Sequence, residues 1–366
     1  MRKEILKELT TSFSPSGAEN FGENLYKSVD VFKNYMDNTP GLRNVTYPPM
    51  AGNIGNILYS IGYGPKSVLL SAHIDSVVCK ISYINDDGKI NIMHAGGTDR
   101  AALVASRVVI LGDNGPVFGI IGKKPIHLEG DEKKYKYNEY DGLTIDVGAE
   151  TWQGVKDLGI HVGCDVVYER YCNTNFGENR VCATDLDDKA GVFVVMELAK
   201  KLNDLMAAGE ENLWKEYTFY FAATTGEEIG LRGATVLAHD LNPHISIDFD
   251  VTFAEDSTRG VKASDAKVCG VKLGKGACIA YGGDKSRRIA KLLEDIAEEN
   301  DIMRQQLATR PSGTNTSVFQ TQAQACETML ISIPNQSMHT PVEVCDWRDI
   351  ESAIELTYNL LISSKL

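Results

Sequence analysis

The stretch YTFYFAATTGEEIGLRGA at residues 217–234 decides the fold. Its first nine residues are aromatic, β-branched or alanine and carry no charge, the composition of a strand buried on both faces. Glu227 and Glu228 follow almost at once and lead into Ile229, Gly230 and Leu231. Solvated glutamates are out of place between an apolar strand and an apolar turn. The pair therefore reads as chemistry set at the carboxyl end of a buried strand, where open α/β sheets collect their ligands.

Working outward, 67–72 (SVLLSA), 247–254 and 328–333 are further apolar runs of strand length. Helical periods separate them. Val192, Val195, Met196, Ala199 and Leu202 share one face, as do Ile289, Leu292, Leu293, Ile296 and Ala297, and again Ile350, Ala353, Ile354, Thr357 and Leu361. Strands alternating with such helices predict an α/β fold with a central mixed sheet flanked by helices. Residues 77–173 differ. Short runs such as ISYI, KINIM, RVVIL and VFGIIG are broken by Asp-Asp-Gly at 86–88 and Asp-Asn-Gly at 113–115, which is hairpin chemistry. With one helix expected over 149–158, this stretch reads as a small β-barrel nested inside a discontinuous domain made of 1–76 and 174–366. The 366 residues, at about 150 per domain, agree with two units.

Composition narrows the function. With 43% hydrophobic and 24% charged residues the chain can bury a core of its own. It carries 37 basic against 50 acidic residues, a net −13, and no run of five Lys or Arg, which argues against nucleic acid and anionic membranes as partners. No apolar run approaches the roughly 18 residues of a membrane span, and the N-terminus, MRKEILKELTTSF, mixes Glu into what a secretory leader keeps uncharged. A cytoplasmic location is expected. The eight cysteines at 79, 164, 172, 182, 269, 278, 326 and 345 contain no C-x-x-C and are expected to be reduced thiols, mostly buried.

Potential metal ligands fall where strands end. His73 and Asp75 follow the run 67–72, Asp187 and Asp188 precede a helical period, Asp250 lies within 247–254, and His339 follows 328–333 after a short loop. Singly these patterns are commonplace: His-x-Asp makes surface hydrogen bonds, Asp-Asp caps helices, and Glu-Glu decorates solvated faces. Two histidines and four or more carboxylates at strand ends are not. Nitrogen and oxygen donors without thiolate suit zinc, cobalt or manganese, and the carboxylates exceed what one zinc needs, so two ions sharing a bridging carboxylate are expected.

The segments HIDSV (73–77), KPIHL (124–128), DGLTIDVGAET (141–151), TDLDDKAG (184–191), GEEIGLRGA (226–234), DFDVT (248–252) and MHTPVEV (338–344) resemble, in order, the tetrahedral dodecameric metallo-aminopeptidases. These are the glutamyl and deblocking aminopeptidases, some of them labelled endoglucanases. The resemblance covers nearly the whole chain and implies a two-metal aminopeptidase domain interrupted by a β-barrel that pairs subunits. Carried over, it gives one metal to His73 and Asp250, the other to Glu228 and His339, and the bridge to Asp187. It makes Glu227 the general base and Asp75 the carboxylate that orients His73. It further implies peptide substrates, release of the N-terminal residue, zinc or cobalt as the ions with manganese as a third option, and a homo-oligomer, a dodecamer built from dimers. The family's Gly-Gly-Thr-Asp segment is here Ser312-Gly313-Thr314-Asn315, which replaces an acid with a neutral amide near the expected substrate pocket.

Two other functions draw on some of the same residues. A glycoside hydrolase uses two carboxyls about 5 to 10 Å apart and has no use for His73, His339, Asp187 and Asp250 together. A catalytically inactive assembly subunit would have no need to keep the whole ligand set with Glu227. Histidines 94, 127, 161, 239 and 244 have no strand-end context and are assigned structural or surface roles, and Arg232 is assigned to helix packing or charge balance.

Overall fold

The computed structural model describes residues 2–20, 25–45, 55–123, 125, 127, 143–209, 211–310, 313–324, 326–363 and 365–366. In chain order the strands are β1 (Arg43–Asn44), β2 (Ile57–Gly62), β3 (Lys66–His73), β4 (Val78–Ile84), β5 (Ile90–Ala95), β6 (Arg107–Gly112), β7 (Gly115–Ile121), β8 (Thr144–Asp146) and β9 (Asp165–Tyr168). Then follow β10 (Cys172–Phe176), β11 (Arg180–Ala183), β12 (Tyr217–Thr224), β13 (Ile245–Phe253), β14 (Ala277–Tyr281), β15 (Arg304–Ala308), β16 (Glu327–Asn335) and β17 (Glu343–Asp346).

One sheet has the order β1-β2-β12-β3-β13-β16-β14-β15. Its centre, β12-β3-β13-β16, is parallel, while β2 joins β12 and β14 joins β16 antiparallel, so the sheet is mixed as expected. The central strands are apolar along their length because helices cover both faces. On one side lies the helix Leu186–Ala207, with Val192, Val195, Met196, Ala199 and Leu202 all buried. The helix Trp347–Ile362 packs beside it on the same face, and Phe193 meets Trp347 edge to face with ring centroids 6.0 Å apart. The helix Arg287–Glu299 buries Ile289, Leu293, Ile296 and Ala297, and Leu292 is half-buried at the margin of that face. On the other side Ala234, Leu237, Ala238 and Phe319 pack on Leu58, Leu69 and Ala222. Each fully buried Leu, Ile or Phe contributes about 1.5–3 kcal/mol, so these two layers hold the sheet and fix where its strands end.

Strands β4-β5-β8-β7-β6-β9 close into a separate barrel around Ile81, Ile90, Val108, Ile110, Ile145 and Val166. The Asp-Asp-Gly turn forms as its sequence demands: Asn85 N–H donates to Lys89 O at 2.8 Å, and Gly88 takes φ +76°. The second hairpin turns at Asp113 and Asn114, with Gly112 opposite Gly115. The barrel helix spans Trp152–Asp157, shorter than 149–158, because Thr151 caps it by accepting the Gly154 N–H. Of the segments that carried the resemblance, residues 124, 126, 128, 141 and 142 lie outside the described residues. A small sheet β10-β11-β17, which no sequence pattern announced, ties the segment after the barrel to the C-terminal region, and Trp347 Nε1 donates to Thr174 O at 3.1 Å.

Candidate metal centre

The parallel register brings strand ends together. Thr224, the last residue of β12, lies beside His73, the last of β3, and Asp250 stands near the end of β13, opposite Ser332 of β16. Glu227 and Glu228 follow β12 by a short turn, and His339 follows β16 on backbone that takes left-handed φ values at Ser337 and His339.

The helix Leu186–Ala207 supplies the middle of the site. Its first residues are not yet helical: Asp187 has φ −80° and ψ 106°, and Asp188 has φ −116° and ψ 41°. Asp188 is the one that caps, its Oδ1 accepting the Gly191 N–H at 2.9 Å, and a Cβ on residue 191 would lie 2.4 Å from that oxygen. Asp187 is thereby left to face the histidines. Its Oδ1 lies 3.0 Å from His73 Nε2 and its Oδ2 lies 3.2 Å from His339 Nε2. Glu228 Oε1 is 3.3 Å from His339 Nε2, and Asp250 Oδ1 is 3.9 Å from His73 Nε2. All five expected ligands thus meet at one place.

Asp75 does more than face a histidine. His73 Nδ1 lies 3.1 Å from the main-chain oxygen of Asp75 and 3.6 Å from its carboxylate. That carboxylate is occupied elsewhere, accepting the N–H of Glu227 at 3.0 Å, the N–H of Glu228 at 3.2 Å and the hydroxyl of Ser16 at 2.6 Å. The residue therefore sets the two glutamates as well as the ring.

The electrostatics favour cations. Burial lifts Glu227 and Asp250 well above the ordinary carboxylate range, and the neighbouring acids add to it. Burial alone works against a charge on His339, yet Asp187 and Glu228 outweigh it and push that imidazole up to about 12. The same balance raises His73 well above its usual value, through Asp187 and Asp75. Asp187 is also buried, but the two imidazoles hold its carboxyl below the usual range. Crowded buried carboxylates that draw protons onto both histidines form a donor set of the kind divalent ions occupy, and cation binding would displace those protons. Two triads of ligand atoms lie close enough to hold an ion: His73, Asp187 and Glu228, and His73, Asp188 and Asp250. The residues present fit the expected metals.

Two residues that complete the site carry no signal of their own in the sequence. Glu343 accepts the Asp187 N–H on Oε2 and the His339 N–H on Oε1, both at 2.8 Å, so one buried carboxylate aligns both residues. It lies within the segment 338–344, but nothing there distinguishes it from a surface glutamate. Gly97, from the loop after β5, lies with its carbonyl oxygen 2.9 Å from His339 Nδ1, so the barrel region supplies part of the cluster's surroundings. A Cβ at that position would lie 2.7 Å from the ring, which is why the residue is glycine.

A cavity of about 1150 Å³ opens over the cluster, lined beyond it by Phe253, Val261, Leu307, Leu330 and Met338 and by the cations Lys267 and Arg310. Gly313 and Thr314 reach this cavity. Asn315 instead is buried beneath the end of β12, donating to Thr224 Oγ1 at 3.0 Å, and Ser312 lies outside the described residues. The other described histidines stand apart from the cavity, with His161 beside Asp113, His239 beside Asp240 and His244 bonded to Ser67. Arg232 begins the helix Arg232–Leu241 and donates to Ile229 O.

Strand-end histidines and carboxylates beneath a cleft on an α/β sheet are the arrangement that metal-dependent hydrolases use. Residues 55–356 match the family model of the M42 glutamyl aminopeptidases, and the chain belongs to that family as a metal-dependent aminopeptidase that hydrolyses peptides from the N-terminus. It is 27% identical over 362 residues to the lysyl aminopeptidase of Pyrococcus furiosus, covering 98% of this chain and 96% of that protein. Among solved structures, a TET aminopeptidase from a marine-sediment Thaumarchaeota archaeon superposes with a TM-score of 0.86 at 26% identity, over 98% of this chain and 96% of that one. The Pyrococcus horikoshii TET1 peptidase, described as assembling into a tetrahedron or a large octahedral shell, matches with a TM-score of 0.80 at 28% identity, over 98% and 99% of the two chains.

Proposed function

We propose that the site holds two divalent ions, zinc or cobalt with manganese as a third option, and that Asp187 bridges them. His73 and Asp250 would hold one ion, and Glu228 and His339 would hold the other. The observation that carries this reading is the placement of the two Asp187 oxygens, one toward each histidine at 3.0 and 3.2 Å. Bound ions supply Lewis acidity and lower the pKa of water. The protein's own residues do the rest. Glu227, held through its N–H by Asp75, takes a proton from the attacking water and delivers it to the leaving amine. The substrate's free α-amine is held by the carboxylates of the cluster, and its first side chain enters the cavity beside Phe253 and Leu330. Two histidines sharing a carboxylate serve no purpose in a glycosidase, and the full ligand set with Glu227 has none in an inactive subunit.

The domain assignment is part of the same proposal: 1–76 and 174–366 catalyse, and 77–173 is the insert through which copies associate into a homo-oligomer, a dodecamer built from dimers. Exposed Tyr83, Met93, Phe118, Ile120 and Val162 on and around the barrel support an interface there, as do the assemblies described for the Pyrococcus horikoshii relative. All eight cysteines are free, which supports a cytoplasmic location, and among the described residues no helix is long and apolar enough to cross a membrane. The test is elemental analysis of the purified protein together with turnover of aminoacyl chromogenic substrates before and after chelation. Two ions per chain, with activity lost on chelation and restored by zinc or cobalt, is the expected result; a single tightly held ion with full activity overturns the bridge.

A further inference from the structure

The segment Ser-Pro-Ser-Gly-Ala-Glu at 14–19 lies far in sequence from every ligand, and none of its residues touches the reacting centre in the mechanism above. Ser14, Ser16 and Glu19 are nevertheless fully or almost fully buried, an unusual place for polar side chains unless each has a partner. Their partners are the loops that carry the chemistry. Along the chain after β3, Ser14 Oγ donates to Ile74 O at 2.6 Å, Ser16 N–H donates to Ser76 O at 3.2 Å and Ser76 N–H returns to Ser14 O at 3.0 Å. Ser16 Oγ donates to Asp75 Oδ2 at 2.6 Å, onto the carboxylate that receives the Glu227 and Glu228 amides. At the turn after β12, Glu19 Oε1 accepts the Gly226 N–H at 2.8 Å while also accepting the Gly17 N–H at 2.9 Å. The start of the central helix joins the same knot, because the buried Lys189 donates to Ser14 Oγ at 2.6 Å, to Ser76 Oγ at 3.0 Å and to Ile74 O.

We propose that residues 14–19 are a positioning element of the active site, in which Ser16, through Asp75, and Glu19, through the Gly226 amide, set Glu227 and Glu228 against the metal ligands. The physical reason is that a turn whose amides point into a carboxylate has little freedom. Of the consecutive N–H groups at 226, 227 and 228, Glu19 takes the first and Asp75 the other two, and Ser16 in turn holds the Asp75 carboxylate, so the N-terminal segment acts on the backbone beneath the base once directly and once through Asp75. Gly226 sits at φ +65°, a left-handed conformation that glycine adopts without strain. A segment that served only to cover the fold would bury apolar side chains; this one buries hydroxyls and a carboxylate aimed at the catalytic loops. The inference rests on the proposed role of Glu227 as base.

The experiment compares the parent enzyme, with its metals, to Glu19→Ala, Glu19→Gln, Ser16→Ala and Glu227→Gln. It measures kcat and KM on an aminoacyl chromogenic substrate, metal content, the melting temperature, and hydrogen exchange of the peptide spanning 225–231. Glu19→Ala should lower kcat roughly 10- to 100-fold, the cost of a small misplacement of a catalytic group, with KM and metal content unchanged. Amide exchange at 226–228 should become about tenfold faster, as expected when a buried hydrogen bond is lost, while exchange in 217–224 stays as in the parent. Glu19→Gln keeps the Oε1 acceptor and should return kcat and exchange close to parent values. Ser16→Ala should lower kcat roughly tenfold through the loosened Asp75. Parent-like kcat in both Glu19→Ala and Ser16→Ala overturns the proposal, as does a loss that follows metal content or melting temperature and is not restored by Gln. If Glu19→Ala does not fold, Ser16→Ala decides alone. Full activity of Glu227→Gln instead overturns the assignment of the base, whereas an inactive Glu227→Gln beside parent-like Glu19→Ala and Ser16→Ala overturns only the positioning role.

Discussion

The two histidines of the site are held in contrasting ways. His73 ends a central strand, is almost wholly buried, and owes its position to the ladder with β12 and to the loop that follows it immediately in sequence. His339 is 27% exposed, sits on left-handed backbone in a loop, and is aligned by Glu343 from one side and by a barrel carbonyl at Gly97 from the other. One half of the centre is thus a property of the sheet. The other is a property of where the loop after β5 meets the loop after β16. Asp187 joins the halves, and ion binding at the His339 half should be the more sensitive to changes remote in sequence.

The strongest way to break this comparison is to remove what the halves share. Replacing Asp187 by Ala should empty both halves and reduce turnover to background, and elemental analysis is the measurement; two tightly held ions per chain in that variant would remove the bridge and with it the distinction between halves. Next in size, Glu227→Gln should lower kcat by at least about 10²-fold, the scale of a lost general base, while both ions remain. Loss of metal with normal activity per bound ion would make Glu227 a ligand instead. A third change tests the asymmetry itself. In Gly97→Ala the new Cβ would meet the His339 ring at 2.7 Å, so affinity for one ion should weaken roughly 10- to 100-fold, as when an outer-shell partner is lost, and the other should bind as in the parent. Metal titration followed by calorimetry separates the two sites, and equal weakening of both would show that the halves are not independent.

The smallest effect is expected at a buried carboxylate faced by amides rather than imidazoles. Asp349 accepts the N–H of Gly274 and of Gly276, each at 2.7 Å, and burial pushes it up to about 7. In the unfolded chain it would titrate near 3.9. The folded protein therefore keeps this proton over a range where the unfolded chain has lost it, so the group's stabilising contribution is complete below about pH 4 and disappears as pH rises through 7. The unfolding free energy of the parent minus that of Asp349→Asn, read from denaturant unfolding, should fall as pH rises over that window, with activity unaltered. A value that rises with pH would contradict the direction of the shift.

How far the site could be read from the chain follows the same division. The run 217–225 matches β12 almost to the residue, and the ends of apolar runs drew attention to His73, Glu227 and Glu228, with Asp250 inside the run 247–254, because a strand buried on both faces announces itself in composition. The Asp187-Asp188 pair showed a helix start; which of the two caps and which faces the histidines depends on the backbone angles there and on Gly191. The loop residues were harder. Glu343 and Gly97 act on main-chain groups or by a main-chain oxygen, and a glutamate or glycine that works in this way leaves no periodic or motif signature.

What the sequence by itself determined was the alternation of buried strands with one-sided helices, the hairpin-rich insert and the kinds of donor available, since each is local patterning of apolar and polar residues. Only the tertiary structure decided that Gly97 of the barrel buttresses His339, that Asp75 serves two glutamate amides as well as a histidine, and that Asn315 turns beneath β12 instead of into the cavity. Those outcomes depend on where loops from distant parts of the chain come to rest, and a hydrogen bond across such a distance is specified by packing rather than by the residues that make it.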